Sequence, residues 1–241
     1  KLYAGFNYPG VVAHIGSISL EDGSLERLVD VKGPLLYTVT SLAYDRESKT
    51  LFYTVDNNNF RDIVALDTKT KEKRVILKDA RIGDLAFNPA DRSIWGIRHL
   101  NGICTLVRIP YPWTSWRQVR TWPYGPEIYD LDVSPDGRLV SMSVGEVTGQ
   151  QSVQVIPVET LLKGEAEPLM RHDFGTTVPS NFVFSPDSKY VYGSSYYTGA
   201  SNIFRFEIAT GKMEALSNTE TGLFPPIPCD GAEMIVLRCT G

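Results

Sequence analysis

The sequence is poor in the residues and spacings from which membrane, metal and hydrolase signatures are built. Its three cysteines, Cys104, Cys229 and Cys239, show no CxxC spacing. Neither a disulfide framework nor a zinc cluster is therefore encoded, and at most a single Cys229–Cys239 bond is conceivable. Charges, Gly or Pro interrupt every hydrophobic run well short of the roughly 18 to 20 apolar residues of a membrane-spanning helix. Positive charge is not in excess, because 24 basic residues face 28 acidic ones for a net −4. The field that dominates nucleic-acid affinity is missing, so nucleic acid is excluded as a partner. No Asn begins an Asn-X-Ser/Thr acceptor, which gives no support for a secreted eukaryotic glycoprotein and points toward bacteria. The start, Lys1–Phe6, has no basic segment followed by an apolar core and reads as a strand rather than a targeting signal. With Met234–Leu237 close to its other end, the chain reads as a piece of something longer.

Catalytic strings are equally scarce. No Gly-X-Ser-X-Gly elbow occurs, and Gly193-Ser194-Ser195 reads as a strand end. His14, His99 and His172 lie far apart without an HxxxH or HExxH spacing, which excludes a helix-borne zinc site. Gly145-Glu146-Val147-Thr148-Gly149 lacks the Lys of a phosphate loop. No cofactor is implied.

What is present is a repeat. With 42% apolar and 22% charged residues the chain is ordinary for one globular domain. One phrase recurs, as Leu42–Ser48, Leu85–Asp91, Leu131–Gly137 and Phe182–Ser188, with a degenerate copy at Ile227–Gly231. Each copy is a short apolar strand followed by a turn in which Ser, Asn, Asp and Pro preset the backbone. A second strand follows, such as Thr50–Val55, Ser93–Ile97, Leu139–Ser143 or Tyr190–Ser194, rich in β-branched and aromatic residues. A third strand and a more polar fourth complete the unit. Only Val158–Gly164 reads as helical, as a turn or two within a hairpin.

Four antiparallel strands per unit without helical periodicity predict an all-β fold, a β-propeller of four-stranded blades. One such sheet cannot cover both of its own faces, so blades must stack radially. The blade parts are predicted at 1–31, 32–78, 79–122, 123–173, 174–223 and 224–241, about five blades in a single domain. Either the C-terminal strand closes the ring onto the N-terminal blade, or the chain is an arc of a longer propeller.

The turn Ser134-Pro135-Asp136-Gly137, with Asp67-Thr68-Lys69-Thr70 or Ala209-Thr210-Gly211-Lys212 at the later turn, resembles the repeat of TolB-type propellers. The same repeat occurs in propellers of tricorn-like and prolyl-oligopeptidase-like peptidases. The long fourth blade and the insertion Pro110–Trp116 depart from the simplest pattern. The resemblance implies a bacterial periplasmic or surface module that recognises a protein or gates a neighbouring domain.

Propeller topology selects candidate residues. Loops between second and third strands, and between consecutive blades, share one face around the channel. On it fall Arg61, Arg81, Arg98, His99, Tyr124, Glu127, Tyr129, Tyr196 and Tyr197. Tyr and Arg bury area at modest entropic cost while still hydrogen-bonding, so these residues predict a surface for a protein or peptide partner, or an adjacent domain. The competing reading is packing between blades. Trp113, Trp116 and Trp122 fall on the outer hairpin and strand. Two oxygen-rich sets are weaker, metal-oriented candidates. Asp56, Asn58 and Asp62 share one loop, which lacks the Gly of a calcium-binding loop and reads better as an Asn-rich turn. Asp84, Glu127, Asp130 and Asn181 at inner-strand starts are where a propeller hydrolase or lactonase would hold a divalent ion.

Overall fold

The computed structural model describes residues 1–31, 41–56 and 60–239. Their strands form six antiparallel sheets in chain order. The first has three strands, β1 (Leu2–Phe6), β2 (His14–Ile18) and β3 (Leu25–Asp30). Four complete blades follow. They are β4 (Leu42–Asp45), β5 (Thr50–Asp56), β6 (Arg61–Asp67) and β7 (Lys73–Leu77); then β8 (Ile82–Asn88), β9 (Ser93–Leu100), β10 (Ile103–Ile109) and β11 (Arg117–Thr121). The next are β12 (Glu127–Val133), β13 (Leu139–Gly145), β14 (Gln151–Pro157) and β15 (Met170–Gly175); then β16 (Pro179–Phe184), β17 (Tyr190–Thr198), β18 (Ala200–Glu207) and β19 (Met213–Ala215). The last sheet pairs β20 (Leu223–Pro228) with β21 (Met234–Arg238). A short helix, α1 (Val158–Leu162), lies inside the β14–β15 connection. The strands amount to a five-blade all-β propeller. Among the described residues the C-terminal strands pair with each other and not with β1, so strand pairing does not close the ring there. Cys229 and Cys239 are free thiols, which removes the one conceivable disulfide.

The repeated turns hold by local hydrogen bonds. Ser134 Oγ donates to Asp136 Oδ1 at 2.6 Å and accepts the Leu139 N–H at 2.9 Å. Ser185 repeats this with Asp187 and Tyr190. The core lies between blades rather than within them. Phe52, Ala65 and Ile63 pack with Ile82, Ile94 and Val107, joining two neighbouring blades. Trp95, Ile97 and Leu106 join Ile128, Val140 and Met142 across the next interface, and Val153 and Phe174 meet Phe182, Phe204 and Phe206 across the one after. Trp113, in the outer insertion, is buried against Phe52, with its indole N–H on the Arg92 carbonyl.

A second set of links runs around the channel. The residue before each of the four full copies of the phrase is Ser41, Asp84, Asp130 or Asn181, short and oxygen-bearing. Ser41 Oγ accepts the Leu85 N–H, Asp84 Oδ1 accepts the Asp130 N–H at 3.2 Å, and Asp130 Oδ2 accepts the Asn181 N–H at 2.8 Å. Asp132 Oδ2 adds the Phe184 N–H at 2.9 Å. Asp84, Asp130 and Asn181 all have left-handed backbone, with φ of 47°, 52° and 51°, a region that Asp and Asn tolerate best after Gly. Each sits in a β-bulge, where the register with the second strand slips. Gly193 lies opposite one bulge, and a Cβ there would stand 2.4 Å from ring carbons of buried Phe182.

These tethers place carboxylates along a low-dielectric wall. Burial pushes the Asp132 carboxyl up to about 6, against the Phe184 and Val133 N–H groups that favour its ionised form. Asp130 is also raised to about 6, by burial first and by the Asp84 charge, against the Asn181 N–H. A raised carboxyl holds its proton more tightly in the folded chain. Its contribution to stability is therefore complete below the unfolded value of 3.8 and is lost as pH rises through about 6.

Asp132→Asn keeps an oxygen for the Phe184 N–H and removes the titration. Urea unfolding should show its stability relative to the parent rising by about 1–3 kcal/mol between about pH 4 and pH 7.5; a difference flat with pH would contradict the raised carboxyl. Gly193→Ala should cost about 1–3 kcal/mol by the same measurement, through overpacking against Phe182.

Candidate functional site

Short turns decide what reaches the channel face. The β9–β10 connection is the two-residue turn Asn101-Gly102, with φ of 52° and 73°, which is type I′ chemistry. Because this turn is so tight, Arg98 and His99 lie within β9 and not in a loop as the sequence suggested. Likewise the aromatic run from Tyr190 carries β17 on to Thr198, so Tyr196 and Tyr197 sit in a bulge between Ser195 and Thr198 instead of a loop.

The candidate residues gather in three groups. At the second-to-third blade junction Arg61 pairs with Asp56 at 3.1 Å and lies across Gly83, where a Cβ would meet its Nη1 at 2.7 Å. Arg81 stacks its guanidinium 3.3 Å from the centre of the Phe60 ring. Arg98 points elsewhere, toward Trp116 with its guanidinium carbon 5.2 Å from the ring centre, and so does not join them. At the third-to-fourth junction Tyr124 covers Gly102, and Val147 covers Gly125. Tyr129 donates its hydroxyl to Gln151 Oε1 at 2.9 Å, and Glu127 starts the same strand, exposed. Burial pushes the Tyr129 phenol above its usual range, with the Asp130 and Glu127 charges adding to it. On the fifth blade Tyr197 packs edge-on to Phe174 while Tyr196 leans toward Phe224. Val147, Val178 and Phe60 are exposed beside these groups and carry no sequence signal beyond their loop positions.

His99 is also strongly perturbed. Its Nε2 stands 3.8 Å from Asp84 Oδ2 and its Nδ1 3.5 Å from Cys104 Sγ. The Asp84 carboxylate, then the Cys104 sulfur, raises its pKa to about 9 against the effect of burial. Cysteine spacing does not single out Cys104. The signal was the hairpin itself, since a two-residue turn at 101–102 sets 99 opposite 104.

The oxygen donors considered for a metal have structural partners. Asp84, Asp130, Asn181 and their neighbours line a depression of about 360 Å³ on the axis, with Asp84 and Asp130 accepting the backbone N–H groups described above. Asn181 Nδ2 donates to Ser180 Oγ. Asp62 Oδ1 accepts the Asp79 N–H at 2.8 Å, and Asn58 lies outside the described residues. Among the described residues no group of three or more His, Cys, Asp or Glu side chains is placed to hold a metal ion.

Fold and site together define a β-propeller with a polar axial depression and with aromatic and basic side chains at its blade junctions. In fold it is a TolB-like propeller. It resembles TolB from Acinetobacter baumannii at a TM-score of 0.68 and 16% identity, over 93% of this chain and 56% of that one. The propeller in a nidogen/laminin complex matches at a TM-score of 0.69 and 13% identity, over 98% and 84%. A puromycin hydrolase matches at 0.68 and 15%, over 99% of this chain and 42% of that one. The chain thus spans little more than half the length of that TolB. No protein-family model and no curated protein matches the sequence.

The His99 environment is directly measurable. Its imidazole should titrate near 9 by NMR in the parent, and Asp84→Asn should move that midpoint down toward the ordinary 6.5. An unchanged midpoint in the variant would show that Asp84 is not the stabilising partner.

Proposed function

We propose that the chain is a non-catalytic propeller module that binds a protein or peptide segment across its channel face. The observation that carries this reading is the exposure of large side chains there. Tyr124 is 78% exposed, Val147 76%, Tyr196 56% and Tyr197 47%. These make two apolar prominences, Tyr124 with Val147 and Tyr196 with Tyr197, on either side of a polar depression lined by Asp84 and Asp130. Isolated exposed apolar side chains are normal on any protein, but paired prominences around one cavity fit an interface with a polar centre. Arg81 and Arg61 lie on the same face, available to hydrogen-bond an occupant's carbonyl groups. The solved structure of a similar propeller in a nidogen/laminin complex supports a protein partner.

A second reading has its own support. The puromycin hydrolase that matches over 99% of this chain is more than twice as long, which fits a propeller gating an attached hydrolase domain. Both readings place an extended segment at the channel mouth. The TolB-type resemblance supports a bacterial periplasmic or cell-surface setting.

An extended peptide enriched on the parent from a random display library should lose at least about tenfold in affinity for a variant carrying Tyr124→Ser, Tyr129→Phe, Tyr196→Ser and Tyr197→Ser. The unfolding transition should stay in place. Equal affinity for parent and variant, measured by calorimetry, would remove this face from the reading.

A further inference from the structure

One constellation beside the channel is not used by peptide binding. His99 and Cys104 are the second pair inward from the Asn101-Gly102 turn, after Leu100 and Ile103, a non-hydrogen-bonded position where cross-strand side chains stand closest. Their backbone bonds confirm this, since the His99 N–H goes to Arg81 and the Cys104 carbonyl accepts from Trp122. Sγ of Cys104 lies 3.5 Å from Nδ1 of His99, and Nε2 of His99 lies 3.8 Å from Asp84 Oδ2. Thiol, imidazole and carboxylate thus stand in line on β10, β9 and β8.

We propose that Cys104, His99 and Asp84 form an activated-thiol site that captures small, uncharged electrophiles beside the channel mouth. An imidazole between a thiol and a carboxylate is the arrangement that moves a proton off sulfur and holds the resulting cation in place. The Ile128 N–H, arriving from the next blade, is a further donor to the sulfur. Burial of the thiol opposes its ionisation, but the hydrogen bonds from His99 and Ile128 outweigh burial and bring its pKa down. The imidazole is shifted the opposite way, so both favour thiolate beside imidazolium.

Selectivity follows from the surroundings. Cys104 is only 4% exposed, which limits the approach to small molecules. The charged groups facing the pair, besides each other, are the carboxylates Asp84 on β8 and Glu127 on β12, with Asp130 next to Asp84. An anionic reagent would be repelled. With iodoacetamide as probe, Sγ forms a bond to the methylene carbon as the carbon–iodine bond breaks. Iodide leaves with the bonding electron pair, and the thiol proton stays on His99. Asp84 acts through His99 and is a positioning residue. The site stands independently of whether the face binds a peptide.

The test uses the full chain with Cys229→Ser and Cys239→Ser, alkylated at about pH 6.5 and followed by mass spectrometry. Cys104 should react about tenfold faster than the same thiol in the urea-unfolded chain, and anionic iodoacetate should be slower than iodoacetamide on the folded chain. His99→Gln should abolish the acceleration and shift the pH–rate midpoint up. Thiolate absorbance near about 240 nm should follow the same midpoint and vanish in Cys104→Ser. A rate no faster than in the unfolded chain, a rate indifferent to His99→Gln, or a thiolate signal without alkylation would each overturn the proposal.

Discussion

The structure depends on one kind of contact, a side-chain oxygen of one inner strand accepting a backbone N–H from the inner strand of the next blade. Apolar packing between blades supplies most of the burial, but it is non-directional and would tolerate sliding of one sheet over its neighbour. The acceptors Ser41, Asp84, Asp130 and Asp132 fix that freedom at the axis, where the inner strands approach one another. Each bulge turns the following N–H out of its own ladder and toward the previous blade. Left-handed backbone at Asp84, Asp130 and Asn181 is the local cost, and the short polar side chains there keep that cost small.

The same contacts account for the acidic channel wall, since Asp84, Asp130 and Asp132 each accept a backbone N–H from the next blade. A carboxylate that accepts a backbone N–H is held in one orientation. Asp132 and Asp130 have carboxyls raised to about 6, so near neutral pH the wall carries charges that burial disfavours. Stability is traded there for register. Polar tethers of this kind are worth retaining where an alternative apolar contact would not specify which strand residue meets which.

Much of the architecture was legible because it is repetitive. The phrase around Leu85–Asp91 and its copies marks inner strand and turn in every blade, and Val158–Gly164 reads correctly as a local helical turn. What escaped was set by single turns. His99 meets Cys104 because Asn101-Gly102 is a two-residue loop, a register effect that motif spacing for metals does not describe. Tyr196 and Tyr197 remained in a strand because the aromatic run outlasts the polar residues that bound it. Arg98, which the topology sent to the channel face, turns outward to Trp116 of the insertion, and nothing in the repeat encodes that contact. Asp84, Asp130 and Asn181 suggested ligands for an ion, whereas their tethering role exists only between blades.

Asp84 serves two structures at once. One of its oxygens accepts the Asp130 N–H and the other faces His99, so a single carboxylate serves the tether and the imidazole together. The sulfur that His99 faces takes a second donor from Ile128, two residues before Asp130 on β12. The placement of the fourth blade against the third therefore sets both the strength of the tether and the state of the thiol. A small shift between these blades would lengthen the Asp84–Asp130 bond and withdraw Ile128 from the sulfur in the same motion.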